Sequence, residues 1–213
     1  MLAMRSWVVG SSPKAKRQGL GRRAQALCLG LGLLLGSWAA ACSIGHGTGS
    51  ISGTLSIDGC KSEGPYALAP DAFYADASEQ LLSIRVQRGG DIEGYSDGIA
   101  VLVKDAALLK RQLLGTEIDL SGRTEPLVAV TAYFNETCFA DRDKVPALLE
   151  AVSGKIRFDA IYAPRVDKRE VRISAELLDV MFRDVERPNQ RWAQLSGTFD
   201  FLYVRGAPAQ HFP

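Results

Sequence analysis

The sequence predicts an all-β fold, an antiparallel β-sandwich or partly closed barrel of about seven strands interrupted by one or two short helices. Two observations lead there. Apolar and polar residues alternate with a period of two in segment after segment, and turn residues separate those segments. The alternation is clearest in the last third, where it persists over long stretches.

The first strand carries Ile51, Gly53, Leu55 and Ile57 on one face and Ser52, Thr54, Ser56 and Asp58 on the other. Leu82, Ile84 and Val86 alternate with Ser83, Arg85 and Gln87, and Ile99, Val101 and Val103 follow a Gly-rich turn. Leu127 to Phe134 is apolar on both faces, as in a central strand covered on each side. Ile156, Phe158, Ala160 and Tyr162 form the next apolar face. Val171, Ile173, Ala175 and Leu177 form another, which shifts phase by one into Leu178, Val180 and Phe182, the mark of a β-bulge. The last strand, from Trp192 to Val204, aligns Phe199, Phe201 and Tyr203. One helix is expected over Ala106 to Leu114, capped by Asp105 and stopped by Gly115. A second is suggested by Val145, Leu148, Leu149 and Val152 after Asp143, although Leu148 to Val152 also reads as the lead into a strand.

The N-terminus has a different character. Arg22 and Arg23 precede the apolar run Leu27 to Leu35, which leads into Ala39-Ala40-Ala41-Cys42. A positive region, a short apolar region and small residues form a secretory signal. The run is too short and too rich in glycine for a spanning helix, which needs about 20 apolar residues. With the cysteine after the small residues, the segment resembles the bacterial lipoprotein signal, whose lipobox ends in an obligatory Cys. That resemblance implies diacylglyceryl attachment to the Cys42 thiol, cleavage before it, and a covalent-lipid attachment to membrane. Ser43 in the following position resembles the outer-membrane sorting choice of many proteobacterial lipoproteins. The strand phrases and the closing Phe-Leu-Tyr-Val-Arg-Gly-Ala-Pro-Ala-Gln also resemble lipoproteins of myxobacteria, for which no activity is implied.

The expected organisation is a signal peptide over residues 1–41 and a flexible lipidated tether over 42–50, rich in Gly and Ser. A β-sandwich domain over 51–205 and a C-terminal tail over 206–213 complete it. All 24 acidic residues but only 19 of the 25 basic ones follow the signal, so the 172 residues from Cys42 onward carry a net charge of −5. An acidic domain without a Lys/Arg block argues against nucleic acid.

Cys28 leaves with the signal and Cys42 takes the lipid, which leaves Cys60 and Cys138. A disulfide is the simplest reading for an exported pair; two buried thiols or half a metal site are the competing ones. A zinc site needs more ligands, and the histidines, His46 and His211, lie in the tether and the tail.

Catalytic signals are absent from the sequence: no Gly-x-Ser-x-Gly elbow, no histidine inside the domain and no P-loop. No catalytic residue, metal site or cofactor is therefore assigned. The acidic stretch with Asp91, Glu93 and Asp97 reads as a solvated hairpin loop before it reads as a calcium site, and Asp97-Gly98 reads as an ordinary turn pair. Asp141 and Asp143 carry the same weight. The recurring Ser52-Gly53, Ser153-Gly154 and Ser196-Gly197 mark close backbone approaches rather than a ligand loop.

The leading functional expectation is a non-enzymatic, lipid-anchored cell-envelope domain with an interaction or structural role and a protein or other envelope partner. The alternative is a binding protein holding a small apolar or carbohydrate ligand between its sheets, with Trp192, Tyr133, Tyr162 and Tyr203 lining the pocket. A hydrolase built from dispersed carboxylates ranks third.

Overall fold

The computed structural model describes residues 47–58, 60, 63–89, 96–121, 125–138, 147–168 and 171–203. Among them are ten strands: β1 Gly47–Ile57, β2 Gly64–Leu68, β3 Ala72–Ser78, β4 Leu81–Arg88, β5 Asp97–Val103, β6 Glu117–Asp119, β7 Val128–Phe134, β8 Leu148–Ala160, β9 Val171–Arg183 and β10 Arg191–Tyr203. One helix, α1, begins as an α-turn at Ala106–Leu108 and continues as a π-turn over Leu109–Leu113.

The strands form one antiparallel sheet in the order β2-β1-β10-β9-β8-β7-β5-β4-β3, with β6 beside β8. It curls into a half-barrel. Of the two expected architectures, the described strands fit the partly closed barrel. Three strands exceed the expected seven. β2 contains Gly64, Pro65 and Ala67, β3 is diluted by alanine, and β6 is three residues long, so none carries enough apolar alternation to stand out.

The concave face holds the core. Ile51, Leu55 and Ile57 of β1, Leu82, Ile84 and Val86 of β4, and Ile99, Val101 and Val103 of β5 are all buried as their period predicts. Phe134, Phe158, Phe182, Phe199 and Tyr162 are the largest fully buried side chains and fill the middle. Each such ring contributes about 2–3 kcal/mol on removal from water. In β7 the inward set Val128, Val130, Ala132 and Phe134 is buried, whereas outward-facing Ala129 and Thr131 are only half-covered. The expected two-sided cover thus reaches only Tyr133 at the end of that strand.

α1 closes one end of the curl. The Leu108 N–H donates to the Asp105 carboxylate at 2.8 Å, and Gly115 stops the helix with a positive φ of 72°. Ala106, Ala107 and Leu109 face the core. No second helix forms over Leu148 to Val152, because those residues open β8, where Leu149 is buried and Leu148 exposed. Asp143 and Val145 lie outside the described residues.

β1 begins at Gly47, within the stretch expected to be tether. Gly47 to Ser50 pair in register with Phe201 to Thr198 of β10. The glycine there serves proximity rather than freedom: a Cβ on Gly47 would fall 2.6 Å from the Phe201 Cβ and 2.8 Å from the Phe73 ring.

The bulge expected from the phase shift is present. Leu195 pairs with Val180 and Gly197 with Leu177, so Leu178 and Asp179 of β9 face the single Ser196 of β10. Asp179 takes a positive φ of 52°, and its N–H donates to the Ser196 hydroxyl at 3.0 Å. Across the next ladder stands Gly154, at φ 98°, where a Cβ would come within 2.5 Å of the Val180 Cα. Gly197 and Gly53 press as closely on the backbones of Ile51 and Gln194. The three Ser-Gly steps thus form one row across β1, β10, β9 and β8, where the long strands bend together.

Candidate functional site

The edges of the sheet, β2 and β3, are consecutive in sequence and joined by the short link Ala69–Asp71. Among the described residues no ladder runs between the β1–β2 hairpin and the β4–β5–β7 wall, and side chains bridge the seam. Cys60 and Cys138 join as a disulfide with Cα atoms 4.3 Å apart, linking the β1–β2 loop to the turn after β7. The Tyr66 ring meets Phe134 edge-on with centroids 5.2 Å apart.

The polar centre of the seam is Asp97. It lies on the same face of β5 as Ile99, Val101 and Val103, and it is 0% exposed, not part of a solvated turn as the sequence suggested. Its Oδ1 accepts the N–H groups of Glu136 and Thr137, both at 3.0 Å. Its Oδ2 accepts the Tyr66 hydroxyl at 3.2 Å, the Arg88 guanidinium at 3.0 Å and the Thr137 hydroxyl. Arg88 also donates from Nε to Glu136 at 2.8 Å. Burial pushes the Tyr66 hydroxyl far above the usual phenol range, and the Asp97 charge adds to this. For Arg88, burial works against the charged form, but the hydrogen bond and charge of Glu136 outweigh it and raise the guanidinium.

A carboxylate offers about four lone-pair directions. Five donors converge on Asp97, and through them it ties the seam together. Its neighbour Gly98 has a related use. Its missing side chain makes room for the Tyr133 hydroxyl, which donates to Gln87 at 2.7 Å. Burial raises the Tyr133 phenol as well.

A second polar feature lies on the outer face, an open groove of about 490 Å³ over β1, β8, β9 and β10. Small residues such as Gly49, Ser50 and Ser174 make its floor, and charged pairs stand around it. Arg157 meets Glu176 at 2.6 Å and Asp159 at 3.4 Å, and Arg172 grips Asp200 with Nε–Oδ1 at 2.7 Å. The hydrogen bond from Arg172 holds the Asp200 carboxyl below its ordinary range, which keeps it ionised and unsuited to general-acid work at neutral pH.

Of the residues singled out in the sequence, the structure brings Cys60 and Cys138 together. It places Tyr162 in the packed interior, its ring 4.4 Å from that of Tyr203, and buries Tyr133 on the other face of the sheet, so the two do not line one pocket; Trp192 is half-buried. Cys42, His46, Asp91, Glu93, Asp141, Asp143 and His211 lie outside the described residues. The seam residues Tyr66, Arg88 and Thr137 went unnoticed. The available signal was phase, since Asp97 stands two residues before Ile99 on the core side of its strand. No protein-family model, curated protein or solved structure matches this chain.

Proposed function

We propose that the chain is a non-enzymatic, lipid-anchored β-domain of the cell envelope, held to membrane through Cys42 and serving an interaction or structural role. The observation that supports the non-enzymatic part is that the carboxylates at the seam and the groove are already engaged within the chain. Asp97 is consumed by five donors, and Asp159, Glu176 and Asp200 at the groove are each engaged by arginine. An interior filled by phenylalanine and tyrosine supports the same reading over a ligand chamber. The anchor rests on the order of basic, apolar and small residues before Cys42.

The test is expression of the full chain in a bacterial host with fractionation and intact-mass measurement. The expected product starts at Cys42, carries acyl mass and partitions with membranes, and Cys42→Ser abolishes the acyl mass and the partition. A mature protein with an unmodified Cys42 overturns the anchored reading.

A further inference from the structure

We propose that the end of the half-barrel formed by α1, the β3–β4 turn and the β8–β9 loop lies against the bilayer surface, giving the anchored domain one fixed orientation. The proposal rests on the Cys42 anchor proposed above and adds which face meets the lipid. Only four residues separate Cys42 from Gly47, the first residue of β1. Even fully extended, that connection spans at most about 18 Å. A lipid on Cys42 therefore cannot present the domain in any orientation it likes; the β1 start must stay close to the headgroups.

The strand directions define what else is at that end. With β1 beginning there, its antiparallel partner β10 ends there, β9 begins, β8 ends, β5 ends and β4 begins. Side chains tie the connections into one surface. Lys110 of α1 holds Asp167 of the β8–β9 loop at 2.6 Å, Arg165 of that loop reaches Glu79 of the β3–β4 turn at 3.7 Å, and the Ala106 N–H donates to the Gln80 carbonyl at 3.0 Å. Tyr203 at the end of β10 stacks on Tyr162 at the foot of the same loop.

This surface carries exposed apolar side chains from four separate elements. Leu81 starts β4, Leu114 follows α1, Val166 lies in the β8–β9 loop and Leu202 is the last residue but one of β10, at 39–48% exposure. Exposed Lys104, Arg111, Arg165 and Lys168 stand among them. Apolar tips among long basic side chains suit the boundary between acyl chains and headgroups, where the stems bury and the charges reach phosphate. The remainder of residues 42–213 carries a net acidic charge.

The chain supplies its own control. Once residues 1–41 are removed, Trp192 is the one tryptophan left, and it lies at the opposite end of β10, about 33 Å of strand from Leu202. The full-length chain, purified in its processed form, is placed in phosphatidylethanolamine–phosphatidylglycerol vesicles containing lipid brominated near the headgroup. Val166→Trp and Leu202→Trp, each in a Trp192→Phe background, should lose emission to the bromines and shift to the blue, whereas Trp192 in the unsubstituted protein should do neither. Two independent positions guard against a variant that fails to fold. Acyl mass on Cys42 with neither substituted position quenched overturns the orientation and points to a protein partner on this end. Quenching of Trp192 also overturns it. Absence of acyl mass overturns the anchor itself, and the orientation with it.

Discussion

Asp97 holds three parts of the chain with one side chain: β2 through Tyr66, β4 through Arg88 and the turn after β7 through Thr137. Removing it strands the buried Tyr66 hydroxyl and takes one partner from Arg88, Glu136 and Thr137. Asp97→Ala should therefore lower unfolding free energy by on the order of 3 kcal/mol, measured by urea denaturation. Glu136→Ala, which removes a half-exposed partner of Arg88, should cost less than about 1 kcal/mol. Equal effects from the two would show that the buried carboxylate is not the hub. Glycines offer a second contrast at this scale. Gly154 and Gly115 both have positive φ, but a Cβ at Gly115 enters open space while one at Gly154 meets the β9 backbone. Gly115→Ala should cost about 1 kcal/mol for the backbone conformation alone, and Gly154→Ala distinctly more. Thermal unfolding of the two variants side by side reads the difference.

Among the elements, the disulfide stands where the backbone offers no ladder. Its sequence separation of 78 residues corresponds to about 4 kcal/mol in the chain-entropy model. Reduction should lower stability by a few kcal/mol, and hydrogen exchange should quicken first in β2, which among the described residues has its one ladder to β1. Uniform exchange after reduction would argue against a seam. The strands that a sequence reveals are those with a strongly apolar inward set, such as β4, β5, β9 and β10. The β9 bulge was legible too, because one extra residue moves every later side chain to the other face. β2 and β3 were not, since their stability comes from what lies across the seam: Tyr66 against Phe134, and Phe73 against Phe201 at 5.7 Å. Helical spacing at Leu148 to Val152 left two readings open, and the structure takes the strand lead. Short apolar runs suit either period, and the ladder to β7 and β9 decided the outcome. The buried role of Asp97 was half legible: phase placed it inward, but its donors come from positions 66, 88, 136 and 137, which no local pattern connects.

For the molecule as a whole, pH acts from both sides. Asp200 is held low by its hydrogen bond from Arg172. At Asp184 burial opposes ionisation, but N–H donors from Arg187 and Glu186 prevail and hold it low as well. Depressed carboxyls contribute stability above the unfolded value and lose it as pH falls through the folded one, so acid weakening should begin below about pH 4. Tyr66 and Tyr133 are raised, mainly by burial. Their contribution is complete below the unfolded phenol value near pH 10 and is lost above it. In an alkaline titration followed at the phenolate band, these two phenols should ionise only together with loss of the near-ultraviolet circular dichroism. Their ionisation in a still-folded protein would contradict the burial.

The pairing of β1 with β10 also sets a schedule. Neighbours in the sheet from β3 to β10 largely follow chain order, whereas β1 finds its long partner only in β10, the last of the described strands. A growing chain can assemble its meander progressively while β1, the first of the described strands, waits with one edge unsatisfied. The β1–β2 hairpin alone is too small to hold itself, so the domain reaches protease resistance in one late step. Chains ending at Asp184, before β10, should remain cleavable within β1 however long they are left to mature.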